Sequence, residues 1–93
     1  MKNKKINLVR IKLDNLDNKL LDLIKKRTSL VNQILNAKKF KNQIVDKKRI
    51  KVILKKISKK SKQRKIDTKL TNRIWKSMIY AYIDYEYRNF KKK

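Results

Sequence analysis

The stretch from Leu8 to Lys38, LVRIKLDNLDNKLLDLIKKRTSLVNQILNAK, constrains the fold most, because its thirty-one residues pass without a helix breaker. Val9, Leu13, Leu16, Leu20, Leu23, Leu30 and Ile34 recur at the 3-4 spacing of a helix packed along its length. The row would continue through positions 27 and 38, which hold Arg27 and Lys38. Eleven residues at 100° each bring the two cations within roughly 20° of one line, about 16 Å apart along the axis. Two charges are therefore expected on a core-facing surface. At 1.5 Å per residue the stretch is about 46 Å long, whereas a compact monomer of this size has a diameter of roughly 32 Å. The helix outgrows its own domain: either its ends protrude or, as the persistence of the row favours, a second chain packs along it.

Ninety-three residues make one domain, 1–93, and a chain this short buries too little of its own surface to be comfortably stable alone. It contains no Gly, Pro, Cys or His. Missing Gly and Pro point to an all-α chain with polar, capped turns, since hairpins usually need Gly. Missing Cys excludes disulfides and thiolate metal sites, and no metal or cofactor is expected. No apolar run reaches the roughly 18 residues of a membrane span, and MKNKK is not followed by the apolar core of a signal peptide. A cytoplasmic protein without a membrane partner is expected. Without His or Cys, and with one Glu in the chain, most general-base, thiol and zinc mechanisms lose their usual residues. An enzyme built from this sequence must work mainly by binding charge.

The formal charge of +23, from 30 basic and 7 acidic residues, would ordinarily suggest nucleic acid. Lysine supplies 24 of the 30, however, and is spread over every segment among abundant Asn and Ile. An A/T-rich coding sequence would produce the same pattern, so composition alone does not call for a nucleic-acid partner.

In chain order, residues 1–5 and 91–93 are expected to fray, and a first helix to run from about Ile6 to Lys39. KFKNQIVD forms a short connection, after which Asp46 caps a second helix from Lys47 to about Lys60, with Ile50, Ile53, Leu54 and Ile57 inward. SKKSKQRKID reads as a basic, polar loop. Asp67 or Thr68 caps a third helix that runs to about Phe90, with Leu70, Ile74, Trp75, Met78, Ile79, Tyr82, Ile83 and Glu86 on its inner stripe.

Three helices in a long, medium, long pattern, with Arg27, Lys38 and Glu86 on inner faces, resemble the all-helical class of chorismate mutases. The first part, LVRIKLDNLDNKLLDLIKKR, has that family's leading Arg, its I/L-D-x-L/I-D pattern, its L-L-x-L-I run and its second Arg. An Ala-Lys pair follows at the family's distance, V-D-K-K-R is similar to the D-x-x-R opening of its second helix, and IWKSMIYAYIDYEY resembles its third. Any one piece is weak; four in register over Leu8 to Phe90 are strong.

The resemblance implies an intertwined homodimer that rearranges chorismate to prephenate in aromatic amino-acid biosynthesis, with both chains contributing to each of two pockets. It implies that Arg10 reaches a substrate carboxylate from the partner chain and that Arg27 clamps a carboxylate in its own. Lys38 would hydrogen-bond the ether oxygen and a carboxylate, Arg49 would add charge near the enolpyruvyl carboxylate, Asp46 would approach the ring hydroxyl, and Glu86, if protonated, would be the second donor to the ether oxygen. Ile50 stands where the family usually has Glu, and Tyr82 where it usually has a small hydroxyl residue; Tyr82 would either reach the substrate or narrow the pocket. Arg10 and Arg27 are seventeen residues apart, about 25 Å along one helix, so they can serve one pocket only across a dimer. Read without the resemblance, Arg27 is a buried ion-pair partner, Lys38 a snorkelling helix-end residue, and Glu86 the structural partner of Lys38. The other functional readings are an isochorismate pyruvate lyase or non-catalytic domain of the same fold, or a basic helical nucleic-acid-binding protein.

Overall fold

The computed structural model describes residues 2–91, and every regular element among them is helical. In order these are α1 (Lys2–Ala37), a short 3-10 turn (Lys41–Gln43), α2 (Lys47–Gln63) and α3 (Thr68–Asn89), so the fold is all-α in the expected long, medium, long pattern. Residues 2–5, expected to fray, belong to α1 instead; residues 1, 92 and 93 lie outside the described residues. No described helix is long and apolar enough to cross a membrane. The chain divides into two compact units, one ending at Gln33 and one beginning at Ile34, with the boundary inside α1.

In the first unit the apolar row of α1 is uncovered. Leu13, Leu16, Leu20, Leu23 and Leu30 are 52–59% exposed, and Val9 is 48% exposed. Arg27 and Thr28, by contrast, are half-buried. The core-facing surface read from the leucines is thus exposed among the described residues.

The second unit is built on α2 packed against α3. Both helices begin on aspartates: Asp46 Oδ1 accepts the Arg49 N–H at 3.0 Å, and Asp67 Oδ1 accepts the N–H groups of Lys69 and Leu70 at 2.8 and 3.3 Å. Each cap satisfies donors that the first helical turn leaves unpaired. Ile50, Ile53, Leu54 and Ile57 of α2 are half-buried as expected, as are Trp75, Met78, Tyr82 and Ile83 of α3, while Ile79 and Glu86 are buried.

Two expectations fail at one place. Residues 61–63, read as loop, continue α2 to Gln63, and Leu70 and Ile74, read as inward, are 55% and 48% exposed. The cause is a buried hydroxyl pair. Ser61, one turn beyond Ile57, is 4% exposed; its Oγ donates to the Ile57 carbonyl at 2.7 Å and lies 2.8 Å from Thr71 Oγ1. The inner row of α2 therefore ends in a serine, and α3 meets it with Thr71, about 100° around the helix from Leu70. A reading that follows apolar residues cannot see a contact made by two hydroxyls, although their mutual hydrogen bond removes the penalty of burying them.

The end of α2 shows what the absence of glycine costs. The Lys65 N–H bonds the Lys62 carbonyl at 3.1 Å and the Ile66 N–H bonds the Ser61 carbonyl at 2.9 Å, the paired pattern of a left-handed helix stop. Lys65 takes that conformation at φ 58°, where a Cβ is unfavourable. Lys65→Gly is expected to raise the unfolding free energy by roughly 0.5–1 kcal/mol, less the greater entropy of glycine in the unfolded chain. Urea denaturation would check this, and an unchanged midpoint would mean that the lysine is unstrained.

Candidate functional site: a lysine–glutamate pair beside a polar cleft

The site is assembled where α1 ends. The Lys38 N–H bonds the carbonyls of Ile34 and Leu35 at 3.2 and 3.1 Å, which places the residue on the final turn of α1 with its cation at the negative end of the helix dipole. Its Nζ donates to Glu86 Oε1 at 3.0 Å and, at the longer distance of 3.4 Å, to the Ile44 carbonyl. The side chains of Lys38 and Glu86 are only 18% and 9% exposed. Forty-eight residues of sequence separate these partners. A second ion pair, Arg88 with Asp84, is a solvated contact one helical turn apart on α3 and carries little energy.

Three local features hold the lysine in place. Ile44 is 3% exposed, and this burial fixes the carbonyl that Lys38 addresses. Gln43 Oε1 accepts the N–H groups of Lys39 and Phe40 at 2.7 and 2.9 Å, tying the connection back onto the end of α1 without a proline. Glu86 is carried on the buried row of α3, one turn after Tyr82. Tyr82 is itself half-buried and meets Tyr85 edge-on with ring centroids 6.2 Å apart.

Beside the pair lies an open cleft of about 620 Å³ lined by Lys38, Gln43, Val45, Asp46, Lys47 and Lys48. Lys38 and Asp46 thus line one cavity. Arg49 is exposed on the next turn and is not among the lining residues, its N–H being engaged by Asp46. Arg10 and Arg27 belong to the first unit, where Arg10 is exposed and Arg27 half-buried. The contributions of Gln43 and Ile44 are not legible in KFKNQIVD, which reads as a short connection. The signal available is the apolar pair Ile44–Val45 between Gln43 and Asp46, a candidate anchor.

Chemically, the arrangement presents a cation and a carboxyl group together, half-screened from solvent and opening on a cavity rich in lysine. Lys38 has three donors, so it can keep one on the protein and turn others to an anionic or ether oxygen. The pair is also a structural link, and breaking it from either side leaves a partly buried charge. Lys38→Met and Glu86→Leu should each cost about 1–3 kcal/mol of stability, and the double variant less than their sum. A double-mutant cycle in urea checks this; simple additivity would show that the two groups are not coupled.

No curated protein and no solved structure matched the chain in the comparisons made. A family profile does match: that of chorismate mutase type II, over residues 9–87, a span that includes Arg10, Arg27, Lys38, Asp46, Arg49, Tyr82 and Glu86. The match extends across the boundary between the two units and covers all three helices of an all-α fold, and the chain belongs to the chorismate mutase type II family.

Proposed function

We propose that this protein catalyses the rearrangement of chorismate to prephenate within the cytoplasm, as a homodimer with residues 1–93 forming one domain. The observation that carries the reading is the meeting of Lys38 and Glu86 at 3.0 Å beside a lysine-rich cleft. A pericyclic rearrangement needs no nucleophile, no obligatory proton transfer and no cofactor. It needs a flexible dianion held in a compact conformer and donors aimed at the ether oxygen, where charge grows as the carbon–oxygen bond breaks. A chain with no His and no Cys can perform that chemistry with Arg, Lys and one carboxyl group.

In this mechanism Lys38 donates to the ether oxygen and to a substrate carboxylate, and Glu86 donates from its other side. Arg27 clamps a carboxylate from the same chain, Arg10 does so from the partner, and Arg49 turns toward the enolpyruvyl carboxylate. These pairings use the fork geometry of guanidinium. Asp46 takes the ring hydroxyl with one oxygen while its Oδ1 keeps the α2 cap, and Tyr82 borders the ring. With Ile50 in place of a second carboxylate, the hydroxyl is held less tightly than in relatives that have Glu there.

The dimer is supported by the exposed leucines of α1. Leu13, Leu16, Leu20, Leu23 and Leu30 are each more than half exposed, an apolar row that a second chain packed along the helix would cover.

Purified protein incubated with chorismate should yield prephenate, and isochorismate should persist. Pyruvate released from isochorismate would make the chain a lyase of the same fold, and loss of neither compound would make it non-catalytic. Glu86→Ala should lower turnover by about 10²–10³-fold, the cost of one lost transition-state donor. Glu86→Gln, which keeps a donor at this position, should retain most of the activity that Glu86→Ala loses; a Gln variant as slow as the Ala variant would argue against a hydrogen-bonding role for position 86.

A further inference from the structure

Composition alone left the surplus of positive charge without a task, but its placement on α2 is uneven. From Lys47 to Lys65 the chain carries eleven cations, and no acidic residue occurs between Asp46 and Asp67. α3, by comparison, mixes Lys69, Arg73, Lys76 and Arg88 with Asp84 and Glu86. A uniform bias toward lysine codons would spread the 30 basic residues at about one in three positions and does not account for eleven among these nineteen.

The cations also fall into a row. Lys48, Lys51, Lys55, Lys59 and Lys62 follow spacings of 3, 4, 4 and 3 residues, which confines them to an arc of about 80° over about 21 Å of helix. All five are exposed. Neighbours three or four residues apart repel one another on a helix surface, so the row opposes helix formation unless something neutralises it. The inner row of Ile50, Ile53, Leu54, Ile57 and Ser61 lies about 140° away around the helix and is turned into the packing with α3.

We infer that the outer face of α2 binds the phosphate backbone of double-stranded nucleic acid, independently of sequence and apart from the proposed mutase pocket. A linear row of cations complements a linear array of phosphates, which a duplex supplies at about one charge per 1.7 Å of axis. The row has no guanidinium fork and no interleaved aromatic ring, so it reads neither base edges nor unstacked bases. A bilayer is the poorer fit: an interfacial helix sinks its apolar face among the lipids, and the apolar face of α2 is occupied by α3.

The test compares binding of a fluorescent duplex of mixed sequence across a salt series, by anisotropy, for three full-length proteins. These are the wild type, a variant with Lys51, Lys55, Lys59 and Lys62 changed to Gln, and a variant of equal net charge with Lys12, Lys19, Lys25 and Lys26 changed to Gln. Lys48 is left alone because it lines the cleft. The wild type should bind with a steep salt dependence. The α2 variant should lose up to about 3.6 units from the slope of log K against log salt, at about 0.9 for each of four lost phosphate contacts, and the α1 variant less than half as much. Changing the same four α2 positions to Arg should restore binding, which separates lost charge from lost folding. Equal losses in the two Gln variants, or no binding by the wild type at low salt, would overturn the proposal. So would stripe-dependent capture by phosphatidylserine vesicles that exceeds binding to the duplex.

Discussion

The constraint on which the rest depends is that α1 displays an apolar row that stands exposed among the described residues. Leu13, Leu16, Leu20 and Leu23 are each more than half exposed, while Arg27, further along the same helix, is half-buried. This inverts the usual distribution of apolar and charged side chains. The described residues bury only Leu35, Ile44 and Ile79 among the hydrophobics, too few to hold ninety-three residues together without further association. A partner along α1 would cover the row and, on the proposed mechanism, deliver Arg10 to a pocket that contains the other chain's Arg27. Stability and catalysis would then rest on one interface.

Much of this was legible in the sequence because it follows from spacing. The long breaker-free stretch gave α1, Asp46 and Asp67 marked the starts of α2 and α3, and the position of Glu86 on the stripe of α3 anticipated its burial. What escaped the reading was carried by polar groups acting as core. Ser61 and Thr71 are inward because they bond each other, so apolar periodicity put the α2 boundary too early and, at the start of α3, placed Leu70 and Ile74 inward in place of Thr71. Gln43 and Ile44 escaped for a related reason, since a side-chain oxygen capping two backbone N–H groups and one buried aliphatic leave no repeating pattern.

The Lys38–Glu86 pair joins the two levels of the argument. As a structural contact it connects the end of α1 to α3 across forty-eight residues of sequence. On the proposed mechanism the same donors serve the ether oxygen. A cation and a carboxyl group held ready by helices need little rearrangement when charge develops between them, which is the physical content of preorganisation. The cleft beside them owes its cationic lining to Lys38, Lys47 and Lys48, with Asp46 the one carboxylate among its lining residues.

The central claim is that each pocket is shared between two chains, and mixing two inactive variants tests it most directly. Arg10→Ala and Arg27→Ala homodimers should each be nearly inactive towards chorismate. Unfolded together and refolded, they should form mixed dimers in which one pocket has lost both arginines and the other has kept both. Recovery approaching half the wild-type activity per mixed dimer is the predicted result. Activity that stays at the level of the separate variants, with mixed dimers demonstrably present, would contradict the account.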